Sequence, residues 1–167
     1  GQYELISRSC IALCDFYIHA GLFREGALEL ELAVETLQAL LSNEEDLSIQ
    51  EWGPAISLAL SAHAMLLHRQ GEIEQSIHQC ERAIQLAEKS GSLRVIGIST
   101  QCYVAAKLQH QQRQDAQNLL EYALQVVRQA DEKRTEARCF LDLGALALLE
   151  NRFEAAKTYY DEGVILA

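Results

Sequence analysis

The sequence predicts an all-α protein, a solenoid of four antiparallel helix pairs, and three observations point to it. Turn-tolerant residues stand at Gly71, Gly91, Gln111, Asp131 and Asn151, 20 residues apart each time. Between these marks apolar residues recur at spacings of three and four, as in Ile77, Cys80, Ile84 and Ala87 or Leu119, Leu120, Ala123 and Val127. That spacing lines one face of a helix, and no stretch favours a strand. Third, two helices of about 17 residues, each roughly 25 Å long, with their turns make one unit of 40 residues, and the unit repeats.

Taken in order, residues 1–42 form the first helix pair, with its turn at Gly21. Residues 43–54 are predicted to be an inserted acidic loop. The step from Gly21 to Gly71 is 50 rather than 40, so ten residues must be accommodated between them. The sole proline and the sole tryptophan lie there, and Pro54 fits the first turn of the next helix, where its missing N–H is no loss. The acidic run Asn43–Asp46 reads as solvated charge. Residues 55–167 then form three further helix pairs, all in one solenoid domain. The third pair is the least regular: Gln111 and Gln112 replace the turn glycine, and its second helix fits only with a turn one residue shorter.

Composition narrows the function classes. Of 167 residues 49% are hydrophobic, enough for a continuous core, and nothing in the chain has the low-complexity character of a linker. A formal net charge of −10 with no basic cluster argues against direct nucleic-acid binding. The apolar stretch from Ala55 to Leu67 is too short to cross a bilayer and is broken by Ser57, Ser61 and His63, so no membrane partner is expected. The five cysteines are odd in number and lack C-x-x-C spacing. They read as reduced, packed thiols of a cytoplasmic protein. Cys10 and Cys14 share a helix face but fall on packing positions, so a metal is not expected there. A start at Gly1 and periodicity running to Ala167 suggest a piece of something larger. Neither end carries a polar cap, so exposed apolar ends and self-association through them are expected.

Superposing the units shows that the period carries sequence. In the last unit Phe140, Leu143-Gly144, Ala147, Asn151, Phe153, Ala156, Tyr160 and Gly163 form a pattern matched by Cys10, Leu13-Cys14, Tyr17, Gly21, Phe23, Gly26, Leu30 and Ala33 in the first. Leu60, His63-Ala64, Leu67, Gly71, Ile73, Ser76, Cys80 and Ala83 repeat it in the second, and Val104-Ala105, Leu108, Ala116, Leu120 and Ala123 more weakly in the third. This pattern resembles the tetratricopeptide repeat over almost the whole chain. The period of 40 makes it similar to the long repeats in the sensor regions of bacterial signal-transduction ATPases and maltose-regulator-type activators, and in kinesin light chains.

The resemblance implies a right-handed superhelix whose concave wall, built from the first helix of each pair, is the binding surface. Its register assigns Arg8, Ile11, Asp15, Ile18 and His19 to that wall from the first pair. From the second it assigns Leu58, Ser61, Met65, His68 and Arg69; from the third Cys102, Ala106, Gln109 and His110; from the fourth Arg138, Leu141, Asp142, Ala145 and Leu148. Chaperone-binding members of the family clamp a terminal carboxylate with Lys, Asn and Arg. Ile11, Asp15, Ile18, Ser61, Met65 and His68 stand in those places here, so that clamp is absent and a neutral peptide, a partner helix or a small ligand suits the wall better.

Three readings follow. The leading one is a non-catalytic scaffold that holds a protein or peptide, including another part of its own parent chain, and needs no cofactor. The alternative is a small-effector sensor in a multidomain signalling or transcription-regulatory protein, as the resemblance to maltose-regulator-type repeats implies. The last is an enzyme built on His68 and Asp142, which has no catalytic motif and no strand-mounted nucleophile in its favour. His19, His68 and His110 close three successive first helices, but neighbouring helices lie about 8–10 Å apart and a helix C-terminus attracts histidine by itself. They are read as helix-end residues rather than as metal ligands.

Overall fold

The computed structural model describes residues 2–43, 49–109 and 113–166. Among these residues there are eight helices and no strand. The helices are α1 (Gln2–Ala20), α2 (Phe23–Asn43), α3 (Ile49–Gln70), α4 (Ile73–Ser90), α5 (Leu93–Gln109), α6 (Arg113–Gln129), α7 (Lys133–Leu149) and α8 (Phe153–Leu166). The starts of α4, α6 and α8 fall 40 residues apart, as the sequence period requires.

The turns explain the punctuation. Gly21, Gly71 and Gly91 have φ of 72°, 85° and 70°, and Asp131 and Asn151 have φ of 53° and 59°. In this left-handed region glycine is unstrained, and Asn and Asp are the side chains that tolerate it best. At four of these turns the residue after the left-handed one donates its N–H five positions back: Leu22 to Tyr17 O, Glu72 to Leu67 O, Glu132 to Val127 O and Arg152 to Ala147 O, at 2.8–3.0 Å. That bond satisfies a carbonyl the ending helix would otherwise leave open.

Small residues let the helices of a pair cross closely. A Cβ on Gly26 would meet the Tyr17 ring, one on Gly144 the Tyr160 ring, and one on Gly97 the Val127 Cγ1, all under 3.0 Å. Ser76 Oγ, five residues past Gly71, donates to Ala64 O at 2.8 Å and so turns a close approach into a hydrogen bond. Ala83, Ala123 and Gly163, at the second small position, are buried, and Ala33 is half-buried. Tyr159 lies against Phe140 at a ring separation of 6.4 Å.

The insert differs from the expectation. Asn43 still belongs to α2, and residues 49–54 are the first turn and a half of α3, so both edges of the loop assigned to 43–54 are helical; its remainder, residues 44–48 with most of the acidic run, lies outside the described residues. Pro54 is the sixth residue of α3, one turn deeper than expected. It removes one backbone bond near the helix start, but packing outweighs that loss: Trp52 lies on the first core cluster, and Gly53 is buried against Ser90 and Leu86.

Among the described residues, helix backbones pack closely only between sequence neighbours and between successive first helices: α1 with α3, α3 with α5, and α5 with α7. No such contact joins α2 with α4, α4 with α6 or α6 with α8 among the described residues. The second helices therefore splay apart, and the stack bends with its first helices on the inner wall. All five cysteines are buried and free. Burial pushes Cys14 and Cys139 up to about 12, so these thiols stay protonated and inert at neutral pH.

At the turn into α7 the buried Glu136 carboxylate accepts from Arg128 Nε at 2.7 Å and from Lys133 Nζ at 3.2 Å. Burial alone would push its pKa up, but these two bonds overcome burial and hold it below the usual value. A lowered carboxyl pKa stabilises the fold above the unfolded value, and that stability is lost as pH falls through the folded value. Because both cations are largely exposed, Glu136→Gln is expected to cost at most about 1 kcal/mol at neutral pH. The loss should vanish under acid conditions, which urea titrations at several pH values would read.

Candidate concave binding site

The inner wall holds two adjoining clefts, each lined by the first helices and, in one case, by the residue entering α7. The first encloses about 70 Å³ between Ile11, Cys14 and Asp15 of α1, Ser61 and Met65 of α3, Ile98 and Cys102 of α5, and Arg134 and Arg138 of α7, with Arg94 and Glu132 at its edge. The second, about 210 Å³, lies between Met65, His68 and Arg69 of α3, Gln101 and Ala105 of α5, and Arg138, Leu141 and Asp142 of α7. Met65, Cys102 and Arg138 line both.

Hydrogen bonds between hairpins fix this wall. Ser61 Oγ donates to Ser99 Oγ at 2.9 Å, and Ser57 and Ser99 are 3.1 Å apart, stitching α3 to α5. Ser57 also donates to Ala83 O at 2.7 Å, so all of these buried hydroxyls are satisfied. Gln101 Nε2 donates to Asp142 Oδ2 at 2.7 Å and joins α5 to α7. Across the mouth of the first cleft Arg134 Nη2 reaches Asp15 Oδ2 at 3.1 Å, linking the fourth hairpin to the first over 119 residues of sequence.

The charge of the wall differs from that of the molecule. Arg69, Arg94, Arg134 and Arg138 face Asp15, Glu132 and Asp142 there, whereas the whole chain carries −10. Arg134 is engaged by Asp15 and Arg94 by Glu132. Arg138 is half-buried between the clefts, and among the described residues its guanidinium makes no hydrogen bond and no ion pair. Its charge opposes in part the upward shift that burial imposes on Cys14, Cys102, Cys139 and Asp142.

Burial pushes the Asp142 carboxyl above its usual value, against the pull of the Gln101 amide and the Arg138 charge. The folded state thus binds this proton more tightly than the unfolded chain does. The ionised form destabilises the fold, and that penalty grows as pH rises through the folded value. Asp142→Asn, which keeps an acceptor for Gln101, is expected to raise the melting temperature at neutral pH. The gain should disappear at a pH below the unfolded carboxyl value, as thermal melts across that range would show.

Of the residues the sequence assigned to the wall, Ile11, Asp15, Leu58, Ser61, Met65, His68, Arg69, Cys102, Arg138, Leu141 and Asp142 line the clefts, and Ala145 and Leu148 do not. Ile18 packs on the first core cluster instead, and Arg8 is exposed and lines neither cleft. His19 sits at the exposed end of α1, its Nδ1 2.7 Å from Asp15 O, as a helix-end residue does. His110 and the side chain of Gln109 lie outside the described residues. Ala106 is fully buried, and Ala105 takes the wall position. The third hairpin thus keeps the 40-residue spacing in α5, and the assigned register ran one residue late there. Arg94, Glu132 and Arg134 were missed because they stand at or just before helix starts, where the repeat motif makes no demand.

Among the described residues no group of His, Cys, Asp and Glu could hold a metal ion, and no helix is long and apolar enough to cross a membrane. No family model matches the chain. No curated protein matches it either. Among solved structures, it is similar to the crystal structure of BtubC (BKLC) from P. vanneervenii, with a TM-score of 0.72 and 15% identity over 95% of this chain. The match spans 61% of that protein, and at this identity it shows that the two share a helical-repeat fold.

Proposed function

We propose that the chain is a non-catalytic repeat scaffold that holds an acidic peptide or helix of a partner protein along its concave wall. The observation that carries this reading is Arg138, a half-buried guanidinium without a hydrogen-bond partner, shared by two clefts. A carboxylate placed there would gain a charge-assisted, bidentate bond, and Met65, Ile98 and Leu141 offer apolar contact on either side. Arg69 and His68 extend the polar edge. A neutral peptide, suggested by the sequence, would leave Arg138 unanswered.

The cleft volumes weigh against the sensor reading. Small-molecule sites enclose about 300–1,000 Å³, and the two clefts hold about 70 and 210 Å³. Side chains of a segment running across both would fill them. His68 and Asp142 line one cleft, as an enzyme reading needs, but the bond that holds Asp142 comes from Gln101.

Fluorescence anisotropy with peptides of equal apolar content and acidic, neutral or basic charge tests the proposal. Acidic peptides should bind most tightly and weaken as salt rises. Equal binding of all three, or preference for the basic one, overturns it; binding of small anions with no peptide binding returns the sensor reading.

A further inference from the structure

Two arginines of α7 line the first cleft, Arg134 and Arg138. Standing four residues apart, they share one face of the helix with their Cβ atoms about 6 Å apart. Their states differ. Arg138 makes no hydrogen bond and no ion pair among the described residues, whereas Arg134 donates to Asp15 across the mouth of the cleft. The third guanidinium of the cleft, Arg94, is tied to Glu132, and the two ion pairs are unlike each other. The Glu132 side chain is only 16% exposed and its bond of 2.5 Å joins adjacent hairpins, so it belongs to the packed framework. The side chains of Asp15 and Arg134 are 37% and 68% exposed and lie 3.1 Å apart. They join α1 to α7, whose backbones do not pack closely among the described residues, so water and salt reach both groups.

With the Arg94–Glu132 pair set aside, the cleft holds two guanidiniums and one carboxylate, and that carboxylate is Asp15. We infer that Asp15 is a built-in competitor, standing on Arg134 in place of a partner's carboxylate. The partner's segment carries two carboxylates about one helical turn apart, one for Arg138 and one that displaces Asp15 from Arg134. Glu residues at i and i+4 of a helix have that separation. The inference rests on the reading of the wall as a groove for an acidic peptide, and adds how many charges the peptide brings and at what spacing.

The exchange at Arg134 swaps one ion pair for another while Asp15 turns to water. The second carboxylate therefore gains less than the first, because Arg138 has no partner to give up. Asp15 thus acts as a filter: a segment with a single acid binds through Arg138 and leaves Asp15 in place. Its opposition is that of one exposed ion pair, so removing it tightens a doubly acidic segment by up to about fivefold.

Fluorescence anisotropy on the whole chain tests the inference with two helical peptides of equal length. One carries two Glu four residues apart; in the other Gln replaces one of them. Asp15→Asn and Asp15→Ala are expected to tighten the two-Glu peptide about three- to fivefold and to leave the one-Glu peptide within a factor of about two. Arg134→Ala should bring the two peptides to equal affinity. Glu162→Gln makes the same change of charge on exposed α8 and should move neither peptide. Circular dichroism checks that each variant is folded. Suppose Asp15→Asn weakens the two-Glu peptide or leaves it unchanged, while Arg138→Ala still removes the preference for acid. The inference then falls, the reading of the wall stands, and Asp15 is a fastener only. Equal tightening of both peptides also overturns the inference, since net charge alone is then acting. Should neither the parent chain nor Asp15→Asn bind either peptide better than one with Gln at both places, the reading of the wall falls and the inference with it.

Discussion

Gly97→Ala is expected to destabilise the protein by about 1–3 kcal/mol, the range for overpacking a filled core. Two effects of opposite sign meet at this residue. Alanine is the better helix former by up to about 1 kcal/mol, so at an open helical site the change would stabilise. Here the added methyl lands on Val127 Cγ1, and Val127 is fully buried in α6. A β-branched side chain in a helix holds essentially one rotamer, so Val127 cannot swing away and the helices must separate. The clash therefore outweighs propensity. Val127→Ala alone opens a cavity and should also destabilise, yet in the Gly97→Ala background it removes the obstacle. The two losses should be clearly less than additive in urea denaturation. Additive losses would mean that α5 and α6 do not cross where the structure places them.

Arg138→Ala is expected to weaken acidic-peptide binding about ten- to a hundredfold, the worth of one hydrogen bond to a charged group. Arg138→Lys should recover part of the loss, since it keeps the charge but not the planar fork that grips both carboxylate oxygens. Lys157→Ala, on exposed α8 away from the wall, should leave affinity unchanged and controls for net charge. Isothermal titration of the three variants decides the point. Equal affinities for Arg138→Ala and the parent chain would remove Arg138 from the site.

The period was legible in the sequence because it rests on a backbone requirement. A chain reversing every 20 residues needs a residue at ease with positive φ, and Gly21, Gly71, Gly91, Asp131 and Asn151 are that residue at five turns. The insert was misread because Pro54 marks a helix start by local rules, and what extends α3 beyond it is the burial of Trp52 and Gly53 against other helices. Spacing along one helix carries no trace of that contact. Most of the wall was legible for the same reason as the core, since a helix that buries one face must turn a neighbouring one inward. Its charge was not. Arg94 and Arg134 enter the wall because the stack bends, and the degree of bend is a sum of small crossing angles that no single motif states. The bond of Arg134 to Asp15 is the product of that sum.

That ion pair gives the molecule a mechanical character. A pile of hairpins touching only their neighbours is a spring, whose pitch shifts when each join yields by a degree or two. Tying the first coil to the last with one exposed pair adds little holding force, about 1 kcal/mol or less. A clasp of that strength, exposed to solvent, yields readily to salt or to a competing anion.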